Sequence, residues 1–224
     1  MTRVVQAFDV NETLIDLAAL DPIFERLFGD AAVRREWFQD MLRLVFVGLA
    51  TGELVSFPEA QPAALAMVAA RRGLEVGPDD VEAVRDQMRR LPAHPDARPA
   101  IERLRAAGLA TAALTNSPLA VSEAQLASAG LRELFDQVIS AEEAGRLKPA
   151  PDPYRLVASR FGVKARDVRL IAAHEWDVIG ALASGCRAAL IARPGVVASP
   201  LGRQPDVVAA DLEAAAEAIL AADA

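Results

Sequence analysis

The chain opens on a short apolar run, Val4–Val5–Gln6–Ala7–Phe8, that ends at Asp9 and passes into Val10–Asn11–Glu12–Thr13. Such a run reads as a buried strand with a carboxylate at its C-terminal end. Beyond it the apolar spacing turns helical for roughly seventy residues. Asp21–Pro22 predicts a helix with Asp as N-cap and Pro at the first helical position, stopped by Gly29. A second helix is expected from about Ala31 to Ala50, a third from Ser56–Phe57–Pro58 to Arg72, and a fourth from Pro78–Asp79–Asp80 to near Leu91–Pro92. The second is apolar on two sides. Trp37, Met41, Leu44, Val45 and Gly48 make one stripe, and Phe38, Leu42, Phe46 and Leu49 the other. Both stripes need cover. One packs within the helical unit; the other covers an active site or meets a second subunit, which makes a homodimer the expected assembly.

From Leu91 the pattern alternates helix and strand. Strands are expected at Leu109–Ala113, Gln137–Ser140, Val168–Ala172 and Arg187–Ala192, the last of these being the final clear one, with Asp211 capping a closing helix. Strict alternation implies right-handed crossovers and a parallel sheet. The predicted architecture is therefore a doubly wound α/β core, residues 1–16 and 94–224, with a helical cap subdomain, residues 17–93, inserted after the first strand. An insert at that point is placed to act as a lid.

Composition narrows the function classes. At 224 residues the chain can bury one full core and a smaller second unit. Its net charge of −7, without a basic stripe, argues against a nucleic-acid partner. The longest apolar stretch, Leu44–Ala50, is far shorter than the roughly 20 residues of a membrane span, and the start of the chain lacks a signal-peptide pattern. The single Cys186, between Gly185 and an apolar run, reads as a buried structural thiol in a cytoplasmic protein.

Four polar sites fall at strand ends or in the loops after them: Asp9, Thr115–Asn116, Lys148 and Asp177. In a doubly wound sheet these loops converge on one crevice. The pattern Asp9-x-x-x-Thr13, then Thr115–Asn116, then Lys148–Pro149, then Asp177 resembles the haloacid dehalogenase superfamily. Leu147–Tyr154 and Glu175–Trp176–Asp177-x-x-Gly180–Ala181 are similar to its L-2-haloacid dehalogenase (type II) branch. The resemblance covers nearly the whole chain and implies a Rossmann-like core with a helical cap. It implies Asp9 as a nucleophile that forms an ester which water then hydrolyses. Thr13, Thr115 and Asn116 are then placed to hold the nucleophile or a developing oxyanion, and Lys148 to offset two carboxylates. Asp177 has two possible jobs: orienting Lys148 and the hydrolytic water, or ligating Mg²⁺ together with Asp9.

Asn11 is the deciding position. Phosphatases of this superfamily carry an aspartate there as general acid and base, and an amide cannot deliver a proton to an alkoxide. A halide leaves without one. The first reading is thus a cofactor-independent hydrolase of small 2-halo acids. The alternatives are a Mg²⁺-dependent phosphohydrolase and a non-catalytic binding protein of the same fold. Asn11, Phe38, Tyr154, His174 and Trp176 are the expected substrate-binding residues.

Three departures from the branch stand out. Phe38 aligns with the cap-helix arginine that binds the substrate carboxylate or halide, with Arg34, Arg35 or Arg43 as possible substitutes. Ala172 and His174 stand where Ser and Asn are usual; His174 is either a water-activating base or a neutral, hydrogen-bonded histidine shaping the loop. Glu12 replaces a usual glycine, which predicts a less strained turn. His94, in the hinge after Leu91–Pro92, reads as structural.

Overall fold

The computed structural model describes residues 4–223. Six strands are present among them: β1 (Val5–Phe8), β2 (Ala110–Thr115), β3 (Gln137–Ser140), β4 (Val168–Ala172), β5 (Arg187–Ile191) and β6 (Val207–Ala209). They form one sheet in the order β3-β2-β1-β4-β5-β6, and every pairing is parallel. The strand direction reverses its winding at β1 and β4, so their C-terminal ends form the crevice in which doubly wound sheets bind ligands. Asp9 lies there, its N–H bonded to Ile171 O at 3.0 Å.

Alternation along β1 separates the two faces. Val5 and Ala7 join a core beneath α7 (Pro151–Phe161) and α8 (Glu175–Ala183), while Phe8 faces the other core, with α5 (Ala97–Ala106) and α9 (Leu212–Ala222). The helix α6 (Leu119–Ser128) follows β2. Between β1 and α5 comes the cap: α1 (Asp21–Phe28), α2 (Val33–Thr51), α3 (Phe57–Arg71) and α4 (Pro78–Met88). The chain leaves and re-enters the core through two adjacent segments, joined by Asp16 N–H to Pro92 O (2.9 Å) and His94 N–H to Leu14 O (2.8 Å).

The elements match the sequence pattern closely, with two differences. Asp21 is the first residue of α1 rather than its cap, because a 3₁₀ turn over Leu17–Leu20, capped by Asp16, runs directly into the helix. The short strand β6 has no sequence counterpart: three residues, with Val208 58% exposed, are too few to show a period.

The two stripes of α2 have different covers. Trp37, Met41, Val45 and Gly48 are buried; Trp37 lies 5.3 Å from the Phe24 ring of α1 and donates to Gln61 O of α3. On the other side, Phe38 stacks on His174 and Phe46 meets Trp176 edge-on, both on the core. Half of that second stripe therefore packs on the core of the same chain.

Candidate active site

Asp9, at the end of β1, is 6% exposed and has both carboxylate oxygens engaged. Lys148 Nζ donates to Oδ1 at 2.8 Å; Thr13 Oγ1 donates to Oδ2 at 2.7 Å, and His174 Nδ1 lies 3.2 Å from the same oxygen. Burial alone would raise its pKa, but Lys148 and His174 more than reverse this and hold it well below the usual carboxylate range. Thr13 is itself fixed, because its hydroxyl accepts from Ala173 N–H at 2.9 Å.

Lys148 is fully occupied. Its ammonium donates to Asp9, to Leu114 O (2.9 Å) and to Asp177 Oδ2 (2.6 Å), which uses all three protons. Burial lowers the pKa of this ammonium, and its two carboxylate neighbours outweigh that and raise it. Asp177 has no solvent exposure, and burial pushes its pKa upward against the pull of Lys148. The Tyr154 hydroxyl donates to the other Asp177 oxygen at 2.5 Å. Tyr154, expected among the substrate-binding residues, thus stands behind Asp177 and lines neither of the cavities described below.

Asn116 also has a more local engagement than expected. Its Oδ1 accepts from Lys148 N–H (2.7 Å) and its Nδ2 donates to Lys148 O (3.0 Å), so the side chain clamps the loop that carries the lysine. The Thr115 hydroxyl accepts from Ser117 N–H and shapes the turn after β2. Gly180 is explained by contact: a Cβ there would lie 2.5 Å from Tyr154 Oη and 2.9 Å from Pro149 O. Only glycine lets α8 approach the Lys148 loop this closely.

On the opposite side of Asp9 the departures meet at His174, which contacts both Phe38 and Glu12. His174 Nε2 lies 3.0 Å from Glu12 Oε2, and its ring is stacked between Phe38 (5.7 Å) and Trp176 (5.5 Å), each at 25°. Burial would lower the histidine pKa, but Asp9 and Glu12 together push it up to about 10. At neutral pH the ring is an imidazolium donating to two carboxylates. Of the two sequence readings of His174, a neutral histidine that only shapes the loop does not fit this charge state.

The expected relaxation at Glu12 is also overturned. Glu12 has φ +61°, the only positive value for a non-glycine among the described residues. The left-handed conformation costs about 1–2 kcal/mol for such a residue. It persists because its N–H is bound to Ile15 O and its carboxylate to His174 and, at 3.2 Å, to Arg34 of α2. Arg34 also pairs with Asp21 at 2.6 Å. Sequence reasoning noted Arg34 only as a possible substitute for the cap arginine and Glu12 only as a replaced glycine, and missed their link through His174; Glu12 and His174 are remote along the chain, and no spacing links them.

Two cavities adjoin these groups. An inner one of about 10 Å³, on the scale of a single water, is lined by Asp9, Asn11, Asn116 and Lys148, among others. An outer one of about 800 Å³ is lined by Arg35, Phe46 and Val47 of α2 and by Val196. Phe38, Leu42, His174 and Trp176 line both. Asn11 Oδ1 has a long contact of 3.4 Å from Gln125 Nε2. The Trp176 Nε1 donor is buried without a partner among the described residues.

The donor set does not fit Mg²⁺. The Lys148 ammonium stands between Asp9 and Asp177, 2.8 and 2.6 Å from them, where a bridging cation would sit. Tyr154 takes the remaining Asp177 oxygen.

The solved structure of L-2-haloacid dehalogenase from Xanthobacter autotrophicus with chloropropionic acid covalently bound superposes with a TM-score of 0.89 at 25% identity, covering 98% of this chain and 99% of that one. By sequence, (S)-2-haloacid dehalogenase of Xanthobacter autotrophicus is 30% identical over 188 residues, 83% of this chain and 74% of the relative. A mycobacterial relative, Phosphatase MT3486 of Mycobacterium tuberculosis, is 35% identical over 147 residues, 62% of this chain and 66% of its own length. The family model described as haloacid dehalogenase-like hydrolase matches residues 5–185. With the family model spanning most of the chain and the whole fold in agreement, the chain belongs to the haloacid dehalogenase-like hydrolases.

Proposed function

We propose that the protein hydrolyses the carbon–halogen bond of small 2-halo acids through an ester on Asp9, without a metal. The observation that carries this reading is the state of Asp9: a buried carboxylate kept ionised between the Lys148 ammonium and the His174 imidazolium. An anion so held attacks carbon, and the halide departs with its electron pair. No proton is required at position 11, where an amide stands. An anion released beside Trp176 would give its buried Nε1 an acceptor.

The substrate carboxylate needs a cation. Arg34 is paired with Glu12 and Asp21, and Arg43 with Asp40. Arg35 is exposed at the wall of the outer cavity and makes no ion pair among the described residues, so it is our candidate. Since the inner cavity holds about one water, substrate reaches Asp9 with movement of the cap.

Chloride release from both enantiomers of 2-chloropropionate, with EDTA present, tests the reading. Release is expected from the wild type and is expected to fall by on the order of 10⁴-fold in Asp9→Asn. No release at high enzyme loading would reject it. The phosphohydrolase reading draws on the mycobacterial relative's name, and predicts EDTA-sensitive cleavage of p-nitrophenyl phosphate. The position of Lys148 and the amide of Asn11 weigh against it.

No helix among the described residues is long and apolar enough to cross a membrane. A cytoplasmic location accords with the buried thiol of Cys186, which burial pushes up to about 11. A homodimer stands on narrower ground than the sequence suggests. The core covers Phe38, Leu42 and one edge of Phe46, leaving Val47, 52% exposed, and half-buried Leu49 for a partner. A monomeric mass by light scattering at micromolar concentration would contradict it.

A further inference from the structure

Ester hydrolysis needs a group that reaches both a water and the ester. The Lys148 and Asp177 pair is badly placed for this. All three ammonium protons are engaged, both Asp177 oxygens are taken, and Asp177 lines neither cavity. His174 lines both cavities and its Nδ1 is 3.2 Å from Asp9 Oδ2. We propose that His174 is the acid–base residue of the second half-reaction, taking a proton from the attacking water and returning it to the departing Asp9 Oδ2. The proposal rests on the aspartyl-ester reading above.

In the first half-reaction Asp9 Oδ2 bonds to C2 of the halo acid, and the carbon–halogen bond breaks with its electrons going to the halide. Asp9 has then lost its charge, and the imidazolium, with one of its two anionic partners gone, releases its Nδ1 proton to solvent through the outer cavity. Water next bonds to Asp9 Cγ while Nδ1 takes one of its protons. The Cγ–Oδ2 bond breaks, Oδ2 leaves in the hydroxy acid, and Nδ1 returns the proton to it. The remaining carboxylic acid of Asp9 passes its proton to Nδ1, which restores the ion pair. The net change is halo acid plus water to hydroxy acid, halide and one proton.

The surroundings fit a group that must hold its place while its charge changes. Glu12 anchors Nε2, with Arg34 of α2 behind it, and the rings of Phe38 and Trp176 fix the imidazole plane. Two aromatic faces stabilise the cation without competing for its protons. Phe38 thus takes a part suited to His174 rather than simply emptying an arginine site. His174 does not fit the role of acid in the first step. A leaving atom stands in line on the far side of the attacked carbon, whereas Nδ1 is at the attacking oxygen.

The experiment is rapid-quench chloride release from L-2-chloropropionate by the wild type, His174→Gln and His174→Ala, with intact-protein mass spectrometry of each quenched sample. The expected result is a burst of about one chloride per His174→Gln protein followed by turnover slowed roughly a hundredfold or more, with the Asp9 ester accumulating. Added imidazole is expected to restore part of the His174→Ala turnover while leaving the burst unchanged. Thermal melts report whether each variant is folded. A wild type that turns over beside a folded variant that turns over equally well, or that loses burst and turnover together without rescue, would overturn this role alone. A wild type that releases no chloride would remove the aspartyl-ester reading and this role with it.

Discussion

The two sides of Asp9 are built on different principles. On one side, Lys148, Asp177, Tyr154 and the Asn116 clamp form a closed set inside the core, with every side-chain polar atom of Lys148 and Asp177 partnered. On the other, His174, Glu12 and Arg34 form a chain of charges that leaves the core, crosses a strained turn and ends on the cap helix α2. The first set can hold a charge, but the ammonium of Lys148 and the carboxylate of Asp177 are already fully engaged within it. The second borders both cavities and is tied to the element that must move. The difference suggests a division of labour: the closed side keeps Asp9 ionised, and the open side handles water and substrate.

The largest effect that would sharpen this contrast is expected from Lys148→Met. Removing the ammonium leaves Asp9 and Asp177 facing each other in a buried site, and breaking such a pair costs about 3–5 kcal/mol. Activity is expected to be lost, and urea melts check the stability change. A variant as stable as the wild type would show that Lys148 does not hold the closed side together.

A smaller effect is expected from pH. His174 has a folded-state pKa of about 10, above the ordinary 6.5. The stabilisation it provides is therefore complete below about 6.5 and falls away as pH rises toward 10. Imidazole NMR signals are expected to remain those of a protonated ring at pH 8 in the wild type. Glu12→Gln, which removes one anionic partner, is expected to bring the titration to lower pH. A ring already neutral at pH 8 would erase the distinction between the two sides.

The smallest effect is expected from Arg35→Ala. An exposed cation contributes little to folding, so the melt should change by less than about 1 kcal/mol. KM for 2-chloropropionate is expected to rise by roughly tenfold with kcat little changed. An unchanged KM would place the carboxylate elsewhere.

The same contrast explains what could be read in advance. The closed side was legible because Asn116 directly follows β2, while Lys148 and Asp177 come in the connections after β3 and β4, and a parallel sheet with this order brings those connections together whatever the side chains do. The strands Gln137–Ser140 and Val168–Ala172 and the helical insert follow from periodicity alone. The open side appeared in the sequence only as three separate departures, Glu12, Phe38 and His174. Their union depends on the left-handed backbone of Glu12 and on how α2 lies over the core, neither of which leaves a spacing signal. For the same reason the cover of the second α2 stripe was open between a site and a partner. Tyr154, expected to bind substrate, has its hydroxyl on Asp177 instead, because a motif marks proximity and not direction.

The central claim is that Asp9 itself bonds to the substrate carbon. A single turnover of L-2-chloropropionate in H₂¹⁸O, followed by mass spectrometry of the Asp9 peptide and of the hydroxy acid, tests it most directly. The account predicts heavy oxygen in the Asp9 carboxylate and none in the first product formed. Heavy oxygen in the product with an unlabelled Asp9 would mean that water attacks the substrate directly, and would contradict it.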